Sequence, residues 1–192
     1  MQKVNIYIGS AALLWSTEKR GDQILIGHKK EDSDYELDIA FDFIPTTEVK
    51  DWREARDYWY KSHNNFQKLI DDLKPYSLKS FTKFSNLKKY DFYYVITAPG
   101  GLFSNVATAL LLDFHSSNNI DFRIIVLDPG YKLMQEKREI LIKHIRQKHP
   151  TILMSTLGFS EEEISYYGQR SVYEVYTELN GRMIKYLNNA TF

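Results

Sequence analysis

The chain has 192 residues, no cysteine, and 25 Lys plus Arg against 25 Asp plus Glu. Disulfides, thiolate metal sites and a Cys nucleophile are thereby excluded. A formal net charge of zero argues against a general binder of nucleic acid or membrane surfaces.

Length and a hydrophobic content of 43% suit a single domain over 1–192 with a sizeable core. The apolar run between Ile6 and Trp15 is too short to cross a bilayer and has no signal-peptide layout, so a cytoplasmic protein is expected. In chain order, residues 4–15 read as a buried strand, bent at Gly9 and Ser10. Lys19-Arg20-Gly21-Asp22 is a turn signal and Ile24 to Ile26 a short strand. Residues 35–44 alternate, with Tyr35, Leu37, Ile39, Phe41 and Phe43 on one face and Glu36, Asp38 and Asp42 on the other. Pro45 ends that strand, and the three strands together predict an antiparallel meander.

Thr46 and Thr47 are candidate N-caps for a helix over 48–74, which Pro75 should stop. Residues 76–89 then form a loop or a short helix. The second half has a different rhythm. It predicts a strand at 92–97, a helix at 102–115, a strand at 122–127, a helix at 131–148, a strand at 152–156 and a helix running to about 188. Ser160 and Glu163 form a capping box at the start of the last one. Strands alternating with helices, the strands apolar throughout, are the mark of parallel βαβ units. The expected fold is α/β: a three-layer Rossmann-like sheet, with parallel C-terminal βαβ units and an antiparallel N-terminal meander.

In such sheets ligands sit at the carboxyl ends of the strands. The richest strand end reads Thr97-Ala98-Pro99-Gly100-Gly101-Leu102-Phe103-Ser104-Asn105. Glycines let a backbone approach a ligand, and the following helix N-terminus presents N–H groups to an anion. Thr97, Gly100, Gly101, Ser104 and Asn105 are therefore candidate ligand-binding residues. Asp128, in Asp128-Pro129-Gly130, is the candidate at the next strand end, for a ribose hydroxyl or a metal. Ser155, Thr156 and Gly158 mark the third. Gly9 and Ser10 join the same crevice if the first strand lies in the same sheet. The run is neither a G-x-G-x-x-G fingerprint nor a P-loop, and no motif specifies a cofactor.

The strand, glycine turn, apolar helix and strand over residues 93–127 resemble the core unit of CARF and SAVED domains, Rossmann-like nucleotide sensors of prokaryotic defence systems. The resemblance implies binding of a cyclic oligonucleotide on Gly100, Gly101, Ser104 and Asn105.

Other groupings read as structural. Glu36, Asp38, Asp42, Glu48 and Lys50 contain the residue types of a Mg²⁺-dependent nuclease, but Glu48 falls at a helix start. The histidines His28, His63, His115, His144 and His149 include no i, i+4 helical pair, so no metal site is expected. Lys68, Lys74, Lys79, Lys83, Lys88 and Lys89 interleave with Tyr76, Phe81 and Phe84 in a phosphate-contacting pattern that a solvated loop also explains. Trp52, Tyr58, Trp59 and Tyr60 exceed what one core stripe needs and suit a subunit interface, as a homo-oligomer or with a partner protein.

Three functions fit these observations. The first is a module binding a nucleotide or other phosphorylated small ligand. The second is an enzyme on nucleotides or sugar phosphates using Asp128 or an N-terminal acid. The third is a non-enzymatic interaction subunit. No membrane association is expected.

Overall fold

A computed structural model describes residues 3–9, 12, 22–28, 35–41, 66–81, 90, 92–99, 101–116, 121–167 and 170–189. The strands are β1 (Lys3–Ile8), β2 (Asp22–His28), β3 (Ile39–Phe41), β4 (Phe92–Thr97), β5 (Phe122–Asp128) and β6 (Leu153–Gly158). The helices are α1 (Phe66–Phe81), α2 (Leu102–Ser116), α3 (Lys132–Lys148), α4 (Glu161–Tyr167) and α5 (Val172–Asn189). The strands form one sheet in the order β3-β2-β1-β4-β5-β6, and every neighbouring pair is parallel. This is the doubly wound order whose direction reverses between the first and fourth strands.

Side-chain alternation along the strands divides the core into two layers. Tyr93, Val95, Ile124 and Val126 face one way, onto Leu69, Ile70 and Leu73 of α1, the apolar side of α2, and Leu141 and Ile145 of α3. Tyr94, Ile96, Ile125 and Leu127 face the other, onto Tyr176, Leu179 and Met183 of α5. The result is the three-layer α/β sandwich expected from the βαβ rhythm. Helix α2 lies against β1 and β4 and between α1 and α3. Its Val106, Ala107, Ala109, Leu110, Leu111 and Leu112 are all buried, which explains an apolar composition on several faces. Each fully buried Leu or Ile side chain contributes about 1.5–3 kcal/mol from area removed from water.

Several local expectations change. The N-terminal strands are parallel, not an antiparallel meander. The connection from β1 to β2 spans residues 9–21, long enough for a crossover, whereas a hairpin needs only a few residues. Strand β1 stops at Ile8 instead of continuing to Trp15. Gly9 takes a left-handed φ of 81° that breaks the extended run, and Ala12 is already helical.

Pro75 lies inside α1 and does not end it. Proline costs the helix one hydrogen bond, and the buried stripe Leu69, Ile70 and Leu73 offsets that cost through its packing on α2 and β3. The last predicted helix is two. Ser160 and Glu163 cap α4 reciprocally (2.8 and 3.3 Å), and Ser171 with Glu174 makes a second box at α5 (2.9 and 3.3 Å).

Strand β3 keeps the period-two reading in short form, with Ile39 and Phe41 buried and Ala40 exposed. Strand β6 is an edge and half-exposed, unlike β4 and β5. The aromatic segment with Trp52, Tyr58, Trp59 and Tyr60, and Lys83, Lys88 and Lys89, lie outside the described residues.

Candidate functional site at the strand-order switch

The reversal of strand order opens a gap at the carboxyl ends of β1 and β4, with Ala12 after β1 packed in one core layer and α2 after β4 in the other. Gly9 follows β1 directly. Its N–H donates to Ile26 O (3.0 Å) and its carbonyl accepts from Ala12 N (3.0 Å), so the turn is tied to β2 and to Ala12. Its positive φ already favours glycine. A Cβ there would also collide with Ser104 Oγ. Gly9 and Ser104, ninety-five residues apart, are therefore face to face across the gap.

Gly101 has no neighbour within 4 Å of where a side chain would begin, and it is exposed. From it α2 departs, with Asn105 N donating to Gly101 O (3.2 Å). The first turn of α2 contains no acidic residue, and neither does that of α3. Helix α3 also has no side-chain N-cap bond at Tyr131. Helices α4 and α5 differ, each with Glu in the first turn and a closed capping box. The N-terminal dipoles of α2 and α3 are thus not neutralised by their own sequence.

The remaining candidates have structural duties. Thr97 is fully buried and its hydroxyl accepts from Thr108 Oγ1 (3.1 Å), pinning the end of β4 to α2. Asn105 turns away from the gap, and its Nδ2 donates to Lys137 O of α3 (2.9 Å). Asp128 accepts from Gly130 N (2.9 Å) in a tight turn and pairs with Arg138. Gly130, with φ of 75°, has Ile164 of α4 packed where a side chain would stand. Ser155 bonds to Tyr186 OH (2.8 Å), and Thr156 is exposed. Ser10 and Gly100 lie outside the described residues. So does Glu48 of the acidic grouping, while Asp38 accepts from Leu25 N (2.8 Å) at the edge of β2. Lys68 pairs with Asp72 on α1.

Several residues at this end of the sheet were not singled out in the sequence. Arg182 of α5 donates to Gly158 O (2.7 Å) and to Glu163 Oε1 (2.5 Å), and stacks over Phe159 (4.6 Å). The Arg182 bond is the main reason the Glu163 carboxyl falls to a pKa of about 2. Burial, with the nearby Tyr131 and Asp128 adding to it, raises the Tyr176 hydroxyl to about 12. Asn180 is fully buried in the α5 stripe. Its Nδ2 donates to Tyr176 O (2.7 Å), while its Oδ1 has no hydrogen-bond partner. A polar residue amid Val175, Tyr176, Leu179 and Met183 at helical spacing was a readable signal.

No protein-family model matches the sequence, and no curated protein does. Solved structures do match in fold. An empty FtsZ dimer from M. jannaschii superposes with a TM-score of 0.65 at 11% identity, over 97% of this chain and 53% of that one. The phage tubulin PhuZ with GDP gives 0.60 at 13% identity, over 96% and 55%. A TubZ protofilament from bacteriophage PhiKZ gives 0.61 at 9% identity, over 96% and 56%. The chain spans about half the length of these structures.

The fold is accordingly of the tubulin and FtsZ type, and the resemblance to CARF and SAVED domains is overturned. That resemblance rested on one strand–turn–helix–strand unit, which many Rossmann-like sheets share. Superposition over 96–97% of the chain distinguishes among them. No helix among the described residues is long and apolar enough to cross a membrane.

Proposed function

We propose that this protein binds a nucleotide with its phosphates in the gap between β1 and β4, and that guanosine diphosphate is a ligand. The observation that carries this reading is the meeting of Gly9 and Ser104 beside the acid-free N-terminus of α2. Gly9 and Gly101 supply close backbone approach. Ser104 supplies a hydroxyl donor, and α2 supplies oriented N–H groups. Thr97, Asn105 and Asp128 act as positioning residues that hold the ends of β4 and β5 in place.

The PhuZ structure bearing GDP supports the guanine nucleotide. The cyclic-oligonucleotide and defence reading falls with the resemblance that suggested it. The FtsZ dimer and the TubZ protofilament support self-association as the mode of partnership. Sedimentation with and without GDP tests it, and a strict monomer in both conditions would reject it.

Thermal denaturation against GDP tests the binding. At a hundred times its dissociation constant a ligand stabilises by about 2.7 kcal/mol, a rise of about 5–10 °C for a domain of this size. Gly101→Val is the informative variant, because the fold leaves room for its side chain while a phosphate would not be able to approach. It should melt at the wild-type temperature without GDP and lose the shift with GDP. No shift in the wild type, or an equal one in Gly101→Val, would reject the site.

A further inference from the structure

The opposite end of the sheet holds a second cluster. Helices α2 and α3 run back from the carboxyl ends of the strands, so their last turns meet at the amino ends. With 15 and 17 residues, they set those last turns about 20–25 Å from the gap. Asp113 sits in the last turn of α2 and His144 just before the last turn of α3. His149 is the C-cap of α3, where φ of −134° and ψ of 61° have left the helix. That departure brings together two histidines whose five-residue spacing argued against a shared site.

One ligand atom from each of Asp113, His144 and His149 lies within 4.8 Å of the others. His149 Nε2 is 3.1 Å from Asp113 Oδ1. Two ligands each about 2.1 Å from a tetrahedral ion stand about 3.4 Å apart, so this pair is already spaced for one. The other nitrogen of His149, Nδ1, meets Ser116 Oγ at 2.7 Å. A proton on Nδ1, donated to Ser116, leaves Nε2 as a lone-pair donor toward the cluster, as outer partners do for ligating histidines.

His144 supplies an independent observation. It is 93% buried, since its exposure is 7%, and its Nε2 has no hydrogen-bond partner. An orphaned buried imidazole nitrogen is destabilising unless something satisfies it. The Asp113 side chain keeps 32% exposure, which gives an entry path and a fourth position for water.

We propose that Asp113, His144 and His149 bind a divalent transition-metal ion of the Zn²⁺ type, clipping the end of α2 to the end of α3. Two imidazoles and one carboxylate are a borderline donor set, suited to Zn²⁺ and poorly suited to Mg²⁺ or Ca²⁺. Ser116, His149 and Asp113 also stand in the order of a hydrolase relay. Ser116, however, ends a helix, where the negative pole of the dipole opposes an oxyanion.

Isothermal titration of the metal-free full chain with Zn²⁺ tests this site, together with melting in Zn²⁺ and in a chelator. One equivalent should bind and raise the melting temperature by several degrees. Co²⁺ in its place should show the visible bands of tetrahedral coordination. His144→Leu fits the apolar surroundings and removes the orphan, so metal-free it should melt at or above the wild-type temperature while losing the Zn²⁺ shift. If that variant does not fold, Asp113→Asn keeps shape and hydrogen bonding while removing the charge, and should weaken Zn²⁺ at least tenfold. Absence of one-equivalent binding in the wild type, or undiminished binding in the folded variants, overturns the site. GDP binding at the far end of the sheet is unaffected either way.

Discussion

Ser104 and Asn105 are adjacent in sequence and serve different sides of α2, about 100° apart around its axis. Ser104 faces Gly9 across the gap, while Asn105 links α2 to the backbone of α3. Ser104→Ala should therefore weaken GDP binding with little change in stability. Asn105→Leu removes the side-chain bond to the Lys137 carbonyl, which keeps its intrahelical partner, and should destabilise by about 0.5–1.5 kcal/mol in urea unfolding. One acid response belongs to Glu163. Its pKa is depressed to about 2 in the folded protein from an ordinary 4.5, chiefly by its bond with Arg182. The charged form is favoured by folding, so its stabilisation is complete above pH 4.5 and is lost as pH falls toward 2. Glu163→Gln should be less stable than wild type at pH 7, and the two denaturation midpoints should converge between pH 4.5 and 2. Equal midpoints at pH 7 would mean that the Arg182 pair contributes nothing.

The helices differ in how openly the chain announces them. Capping boxes are local, and Ser171 with Glu174 was as readable as Ser160 with Glu163. Gly168-Gln169-Arg170 interrupts the apolar rhythm of 160–188 directly before Ser171, a second local sign of that start. Ser171→Ala should cost about 1 kcal/mol. Helix α1 shows the reverse case, since Pro75 is a stop signal that packing overrides. Pro75→Ala restores the missing N–H and should stabilise by about 1–3 kcal/mol, measured as a higher urea midpoint with an unchanged slope. A drop in stability would mean that the proline ring itself packs usefully.

Both core layers hang on one sheet. Tyr93 and Tyr94 are consecutive, fully or nearly fully buried, and face opposite layers. Neither layer can open without baring the other side of the same strands. Far-UV and near-UV circular dichroism should therefore follow one unfolding transition. Tyr93→Ala should lower its midpoint by an amount equivalent to about 3–5 kcal/mol without splitting it. Two separated transitions would show that the layers fold independently.

What the amino-acid sequence determined by itself was the succession β4, α2, β5, α3 and β6. The signals there are short-range: apolar runs of strand length, glycine and proline turns, and amphipathic stripes closed by caps. Gly101 and Ser104 were singled out for the same reason, since the junction of β4 and α2 is marked locally. Tertiary structure alone decided the direction of β1 to β3, because parallel pairing depends on where a crossover travels and not on what a strand contains. It alone decided that Gly9 meets Ser104, that Asn105 turns to α3, and that Asp113, His144 and His149 converge. Those meetings join residues 31 to 95 positions apart, or turn on a helix ending one residue before His149, and no periodicity along the chain encodes either.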